Sequence, residues 1–157
     1  MPDASATPLG GEPPVSGRFL LEVDGVEIGI FSEVRGLELS VGVEEYAEGG
    51  QNGYVHKLPG RMSWPNLVFR RGITDSDALF AWVQKSAGEG FASNGNKLTR
   101  STGAVTVVSF DGARLRSWDL DGIFPVRWTG PKLTVEQSVA LEEELEVSHS
   151  GFRAKTK

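Results

Sequence analysis

Three times in this chain an Asp-Gly pair stands between two apolar, strand-like runs: Asp24-Gly25, Asp111-Gly112 and Asp121-Gly122. A two-residue hairpin turn needs positive φ at both central positions, and Asp-Gly adopts it at little steric cost. The first pair separates Phe19 to Val23 from Val26 to Phe31. The second separates Val105 to Phe110 from Arg114 to Leu120, and the third separates that run from Ile123 to Trp128. The recurrence predicts a mainly β (α+β) chain of antiparallel strands, a β-barrel or sandwich with one flanking α-helix. Twenty glycines among 157 residues supply further turns. A chain of this length is about one domain and needs neither metal nor disulfide to bury a core.

Alternation sharpens the picture. From Leu37 to Tyr46, Leu37, Leu39, Val41 and Val43 point one way and Glu38, Ser40, Gly42 and Glu44 the other. One face is expected to pack inward and the other to meet water or a partner. From Val139 to His149, Val139, Leu141, Leu145 and Val147 share a face with Glu143, opposite Ala140, Glu142, Glu144 and Glu146. Glu and Leu are good helix formers, but a helix would scatter these apolar residues around its axis. A strand is the better reading. Ala104 to Phe110 is apolar on both faces, with Val105 and Val107 on one and Val108 and Phe110 on the other. One helix is predicted over about Asp75 to Ala87, capped by Thr74 or Asp75, with Leu79, Phe80 and Val83 as its stripe, Trp82 beside it and Gly88 as its stop.

The chain divides into residues 1–17, a Pro- and Gly-rich arm expected to be disordered, a folded domain over 18–152, and a tail over 153–157. The arm lacks the basic start and apolar centre of a secretory signal. Glu48 to Pro59 reads as a long mobile β-arm, and Gly88 to Ser101 as irregular. No run approaches the roughly 18 apolar residues of a membrane span. Without cysteine there is no thiolate site or cysteine nucleophile, and a net charge of −5 argues against nucleic-acid binding. The two histidines, His56 and His149, lack the companions of a metal or catalytic site and read as surface or interface residues. Asp119-Leu120-Asp121-Gly122 lacks the remaining ligands of a calcium loop. Trp64, Trp82, Trp118 and Trp128 read as core or interface anchors.

Several blocks resemble the phage tail-tube family, seen also in contractile injection systems: Phe31 to Leu37, Glu44 to Gly50, Lys57 to Arg61, Pro65 to Gly72, Leu79 to Trp82, Phe124 to Trp128, Gly130-Pro131 and Val139 to Phe152. Their order and spacing cover about Arg18 to Phe152. Arg35 and Glu143 depart from the family pattern and bear on local subunit contacts. The resemblance implies a tail-tube barrel without catalytic activity or cofactor. Six subunits close into a ring, and rings stack into the rigid inner tube of a phage-tail-like particle. The implied partners are copies of itself, sheath subunits, baseplate and tube-terminating proteins, with a possible lumen cargo. Stable membrane binding and sequence-specific nucleic-acid binding are not expected. The chain would be made in the cytoplasm and act in a particle that is released or works outside the cell. A tube-initiator ring of the same fold is the nearest alternative, and a monomeric ligand-binding barrel a remote one.

On that reading Glu48, Gly49, Gly50, Gln51, Asn52, Gly53, Tyr54, His56 and Lys57 form an arm reaching the next ring. Glu142, Glu144 and Glu146 are a candidate lumen stripe that would repel acidic cargo, against the plain alternative of a solvated strand face. Arg70, Arg71, Val108, Phe110 and Glu143 are candidate subunit-interface residues, the two arginines pairing with a neighbour's acids.

Overall fold

The computed structural model describes residues 17–50, 53–86, 95, 100–135 and 140–155. The expected N-terminal arm and the helix stop at Gly88 lie outside the described residues, apart from Gly17. The strands are β1 (Arg18–Val23), β2 (Val26–Phe31), β3 (Glu33–Arg35), β4 (Ser40–Tyr46), β5 (His56–Ser63), β6 (Leu67–Gly72), β7 (Ser101–Val108), β8 (Arg114–Thr129), β9 (Glu142–Ser148) and β10 (Phe152–Lys155). One helix, α1 (Ala78–Ser86), lies between β6 and β7. The last strand thus carries ordered structure past residue 152.

Every ladder is antiparallel. The main sheet runs β2-β1-β7-β8-β9-β6-β3, with β10 also on β8, and β4 and β5 pair only with each other. No ladder joins β2 to β6, so the curled sheet is not a closed barrel. Its two ends nonetheless meet in one segment. After Phe31 the chain leaves β1, the Ser32 amide donates to the Arg70 carbonyl at 2.9 Å, and Glu33 then faces Arg70 in β6.

Two of the three Asp-Gly turns are hairpins. Asp24 (φ 50°) and Gly25 (φ 79°) turn β1 into β2. Asp111-Gly112 joins β7 to β8 in a longer loop where only Gly112 is left-handed (φ 93°), and the Ser109 amide donates to the Ala113 carbonyl. The third is not a turn, because Asp121-Gly122 lies inside the 16-residue β8. Gly122 at φ 58° is a bulge, and the β7 register shifts beside it, from Ser101↔Ile123 to Gly103↔Leu120. A bulge needs the same left-handed glycine as a turn but bends the strand instead of reversing it. Before the bend β8 pairs with β7 and β10; after it, with β9. The facing segment bends in step at Ser150-Gly151, where the Ser150 amide donates to the Asp121 carbonyl and the Asp121 amide to the Gly151 carbonyl.

His149 locks this corner. Its Nε2–H donates to the Pro65 carbonyl at 2.9 Å and its Nδ1 accepts the Gly151 amide at 3.2 Å. The expected surface or interface histidine is therefore a buried structural one.

The bent sheet encloses Leu21, Val23, Phe31, Leu67, Phe69, Val105, Leu120, Ile123, Leu145 and Val147, with Leu79 and Trp82 of α1 covering an open side. Full burial of each such side chain contributes about 1.5–3 kcal/mol. The helix stripe differs from expectation: Trp82 is buried with Leu79, whereas Phe80 is exposed and sets its edge against Trp128, centroids 5.5 Å apart. The helix also starts later than Asp75. The Thr74 hydroxyl accepts the Ser76 amide in a preceding turn, and the Asp77 carbonyl opens the helical ladder to Ala81.

A side chain at Gly122 would adopt the left-handed region at a cost of about 1–2 kcal/mol. Gly122→Ala should therefore lower the melting temperature of the subunit by roughly 2–4 °C per kcal/mol lost. Thermal unfolding followed by circular dichroism measures this, and an unchanged midpoint would contradict the bulge's role.

Candidate functional site

The feature least explained by the core is the β4–β5 hairpin. Every residue of β4 is exposed, and β5 is exposed apart from half-buried His56 and Gly60. Its register pairs Val41 with Met62, Val43 with Pro59, Glu45 with Lys57 and Tyr46 with His56. One face therefore carries Val41, Val43, Met62 and Pro59 toward the base and the Glu45–Lys57 pair farther out. Val41, Val43 and Met62 are 44%, 61% and 51% exposed. The expected inward face of Leu37 to Tyr46 is thus corrected: only Leu37 packs against the core, and the strand starts at Ser40. The alternation was real, but neither face meets the subunit's own interior.

The predicted arm residues sit at the far end of this hairpin. Glu48, Gly49, Gly50, Gly53 and Tyr54 lie between the strands, His56 and Lys57 begin β5, and Gln51 and Asn52 fall outside the described residues. The Tyr54 and His56 rings meet edge-on at 5.0 Å, and His56 lies 3.3 Å from the Glu48 carboxylate. The projecting element is longer than the loop read from sequence, spanning Ser40 to Ser63. An isolated two-stranded hairpin is marginal in water.

A second surface is the outer face of β3, β6, β9 and the far half of β8. Glu142, Glu144 and Glu146 occupy it, as alternation predicts, but each has a cationic partner. Arg70 reaches Glu142 at 3.7 Å and also pairs with Glu33. Arg35 lies 3.2 Å from both Glu33 and Glu144, and Arg127 lies 3.0 Å from Glu146, which also accepts from the Asn66 amide. The expected acidic stripe is a mixed ladder of three arginines and four glutamates. Exposed pairs of this kind contribute 0–1 kcal/mol each, but together they set the sign of the surface. Arg70 therefore has two acidic partners within its own chain while its side chain stays 43% exposed.

Arg71 and Glu143, placed at an interface from sequence, point the other way. Their side chains are 5% and 14% exposed, and Arg71 Nε donates to Glu143 Oε1 at 2.5 Å. The indole N–H of Trp128 donates to the other carboxylate oxygen at 3.1 Å, and the guanidinium lies over Phe31, 5.1 Å from the ring centre. A Cβ on Gly29 would come within 2.2 Å of Arg71 Nη1, so a larger residue there would force the guanidinium to shift. The pair is intramolecular, which corrects the expected contact with a neighbour.

The remaining interface candidates sit near the β7–β8 loop. Val108 is half-buried, and Phe110 is 68% exposed beneath the Arg18 guanidinium, 5.6 Å from the ring centre. The Ser109 hydroxyl, followed by the Ala113 amide, holds the Asp111 carboxyl below its ordinary pKa and fixes the loop that carries Phe110. Phe110, Arg18, Ile30 and Ile73 border an open groove of about 490 Å³. A separate shallow cavity of about 200 Å³ lies against Glu22, Thr106, Arg114 and Ser117. Among the described residues no three His, Cys, Asp or Glu side chains are grouped to hold a metal, and no helix is long and apolar enough to cross a membrane.

The sequence model of the T4-like virus tail tube protein gp19 family matches residues 15–153. No curated protein matches the chain. Among solved structures, a chain in the extended sheath–tube complex of the PVC extracellular contractile injection system is 22% identical, with a TM-score of 0.74 over 95% of each chain. A chain in the anti-feeding prophage baseplate is 21% identical, with a TM-score of 0.73 over 92% of this chain and 97% of that one. A chain in the tube-terminating cap of the same prophage is 18% identical, with a TM-score of 0.74 over 98% and 99%. Identities this low establish a shared fold.

Removing one partner of a buried ion pair strands the other charge, at a cost of about 3–5 kcal/mol. Glu143→Gln and Arg71→Met should each destabilise the subunit by that order, and the double variant by clearly less than the sum. Urea unfolding of the four proteins in a double-mutant cycle tests this; additive losses would show that the two side chains act independently.

Proposed function

The chain belongs to the T4-like virus tail tube protein family, and from that premise we propose that it forms rings of six subunits that stack into the inner tube of a phage-tail-like contractile injection system. Its role as a structural tube subunit follows from the family. The number of subunits, the stacking and the partners are the proposal. The observation that carries it is the β4–β5 hairpin: a paired element with one exposed apolar face, projecting from a core that is already complete without it. Apolar strand surface left in water is a partner surface. In a chain with a tube fold, another copy is the partner of matching geometry.

Ring closure needs a heterologous contact whose rotation divides a full turn, whereas stacking needs one that repeats along an axis. The hairpin, with its arm residues Glu48 to Lys57, is proposed to make the contact between rings. Phe110 and Val108 are proposed for subunit contacts on the body. Glu142, Glu144 and Glu146 stay the proposed lumen residues, now as part of a mixed Arg–Glu ladder. Such a ladder would pass cargo of either sign with little sticking, instead of repelling acidic cargo. Sheath, baseplate and terminating proteins of the same particle are the further partners proposed, with the tube acting mechanically rather than catalytically and the particle acting outside the producing cell.

Electron microscopy of the concentrated full chain should show hollow rings and stacked tubes. Rings that never stack would favour a tube initiator at the baseplate, and a monodisperse monomer, with or without a preformed ring as template, would overturn the reading. Replacing residues 43–59 with a short turn should leave the melting temperature within a few degrees and abolish long tubes, because the removed segment contributes nothing to the core. Normal tubes from that variant would remove the hairpin from the stacking contact.

A further inference from the structure

The chain enters its first strand beside an open groove. A Cβ on Gly17 would lie 2.1 Å from the Val108 carbonyl oxygen, so the backbone at Gly17 runs against the start of the β7–β8 loop. Gly17 and Arg18 border the groove of about 490 Å³ whose walls include Ile30, Ile73 and Phe110. These three side chains are 47%, 50% and 68% exposed, although a cleft of this volume is large enough to hold a ligand. Whatever precedes Gly17 therefore leaves the body at the edge of an uncovered apolar trough.

Two cations line that trough. Arg18 lies on Phe110 with no ion pair among the described residues. Arg71 also borders the groove, its side chain only 5% exposed. Glu143 takes its Nε, and its two terminal nitrogens have no hydrogen-bond partner among the described residues. Donors on a buried guanidinium call for an acceptor. No acidic side chain among the described residues borders the groove. The occupant it fits is an extended apolar segment carrying a carboxylate.

The sequence before Gly17 has that chemistry. Residues 1–16 contain Asp3 and Glu12 and no Lys or Arg, and the stretch nearest the groove reads Glu12-Pro13-Pro14-Val15-Ser16. At the roughly 3.1 Å per residue of proline-rich chain, the five residues from Gly17 back to Glu12 reach about 15 Å. The Arg71 guanidinium lies over Phe31, whose strand pairs directly with β1, so the crossing is about two strand spacings, roughly 10 Å. A segment tethered at Gly17 also meets the groove at an effective concentration on the order of millimolar.

We propose that residues 12–15 of the same chain cover this groove, with Val15 on Ile30 and Phe110 and the Glu12 carboxylate accepting from the terminal nitrogens of Arg71. The free subunit then keeps these apolar side chains out of water, and Phe110 becomes available to a neighbour only when the cover is displaced. The contact goes beyond the tube reading and does not require it.

The chain has four isoleucines, Ile30 and Ile73 at the groove and Ile28 and Ile123 in the core, so methyl-labelled isoleucine reports the cover with an internal control. Nuclear magnetic resonance spectra are recorded of the dilute full chain and of the chain lacking residues 2–16. The expected result is displaced Ile30 and Ile73 signals in the shortened chain, with Ile28 and Ile123 unmoved. In the full chain, Glu12→Gln should lower the docking equilibrium constant by about tenfold and move the same two signals part of the way toward their shortened-chain positions. Titrating the shortened chain with a synthetic peptide of residues 1–16 should bring them back. Groove signals that are the same in the full and shortened chains overturn the proposal, as does movement of all four, which reports a general loosening. Full-chain signals that vary with concentration would place the segment on a second copy and overturn the intramolecular contact. Unmoved signals in Glu12→Gln overturn the pairing with Arg71. These spectra are read on free subunits, so their outcome is separate from whether tubes form.

Discussion

The bend of β8 at Asp121-Gly122 determines what the rest of the molecule can do. A straight 16-residue strand would span roughly 50 Å and belong to a single sheet. With Gly122 left-handed, its first half borders β7 and β10 and its second half borders β9, so one strand serves both halves of the bent sheet. The partner segment must bend at the same level, and it does so at Ser150-Gly151 under the clamp of His149. The result is a core lined by alternate residues from both halves of the sheet and covered on one side by α1.

That core is complete with its own strands, and it holds a buried charge pair while leaving the hairpin outside. Arg71 follows Phe69 on the inward face of β6, where alternation leaves it no route to solvent. It is accommodated because Glu143 faces it from β9, Trp128 satisfies the second carboxylate oxygen, and Gly29 leaves space. Burying such a pair is not a large net source of stability, since desolvation offsets much of the attraction. Its consequence is register: a slip of one residue in β6 against β9 would turn Arg71 outward and bring Arg70 into the core. The β4–β5 hairpin finds no such vacancy. Its apolar residues remain outside, where folding does not use them and assembly can.

Much of this was legible in the sequence, and the failures share a cause. Asp24-Gly25 gave the first hairpin correctly, and the Val139 to His149 alternation gave the last long strand, because both signals are local. Asp121-Gly122 reads as a turn because a turn and a bulge ask the same backbone of glycine; only pairing partners far along the chain distinguish them. The alternation of Leu37 to Tyr46 identified two faces but not whether either was buried. A clue lay in its partner, His56 to Ser63, where Pro59 and Gly60 interrupt the strand and leave Leu58 and Met62 as the sole large apolar side chains. Arg70 and Arg71 look like one basic pair in the sequence, but a period of two sends neighbours to opposite faces. The acidic row was placed on the correct face, but Arg35, Arg70 and Arg127 come from three other strands and cannot be matched to it by spacing.

The separation of core from contact surface bears on how a tube grows. If the hairpin's apolar face were needed to complete the subunit's own core, subunits would fold only as they assembled, and failed assembly would leave unfolded chain. Here the core closes without it, so a subunit can persist folded while its hairpin remains in water, at a modest cost because that exposed face is small and ends in charged residues. The same arrangement argues against indiscriminate fibres. Apolar strands with free edges are aggregation-prone unless charge or proline interrupts them. β5 carries Lys57, Pro59 and Arg61, and β4 carries Glu44 and Glu45, so edge-to-edge pairing of hairpins meets these interruptions. What remains favourable is contact through the face, and a face is satisfied only by a shaped, apolar acceptor. Specificity of stacking then comes from the hairpin's poor quality as a free strand as much as from the fit of its apolar side.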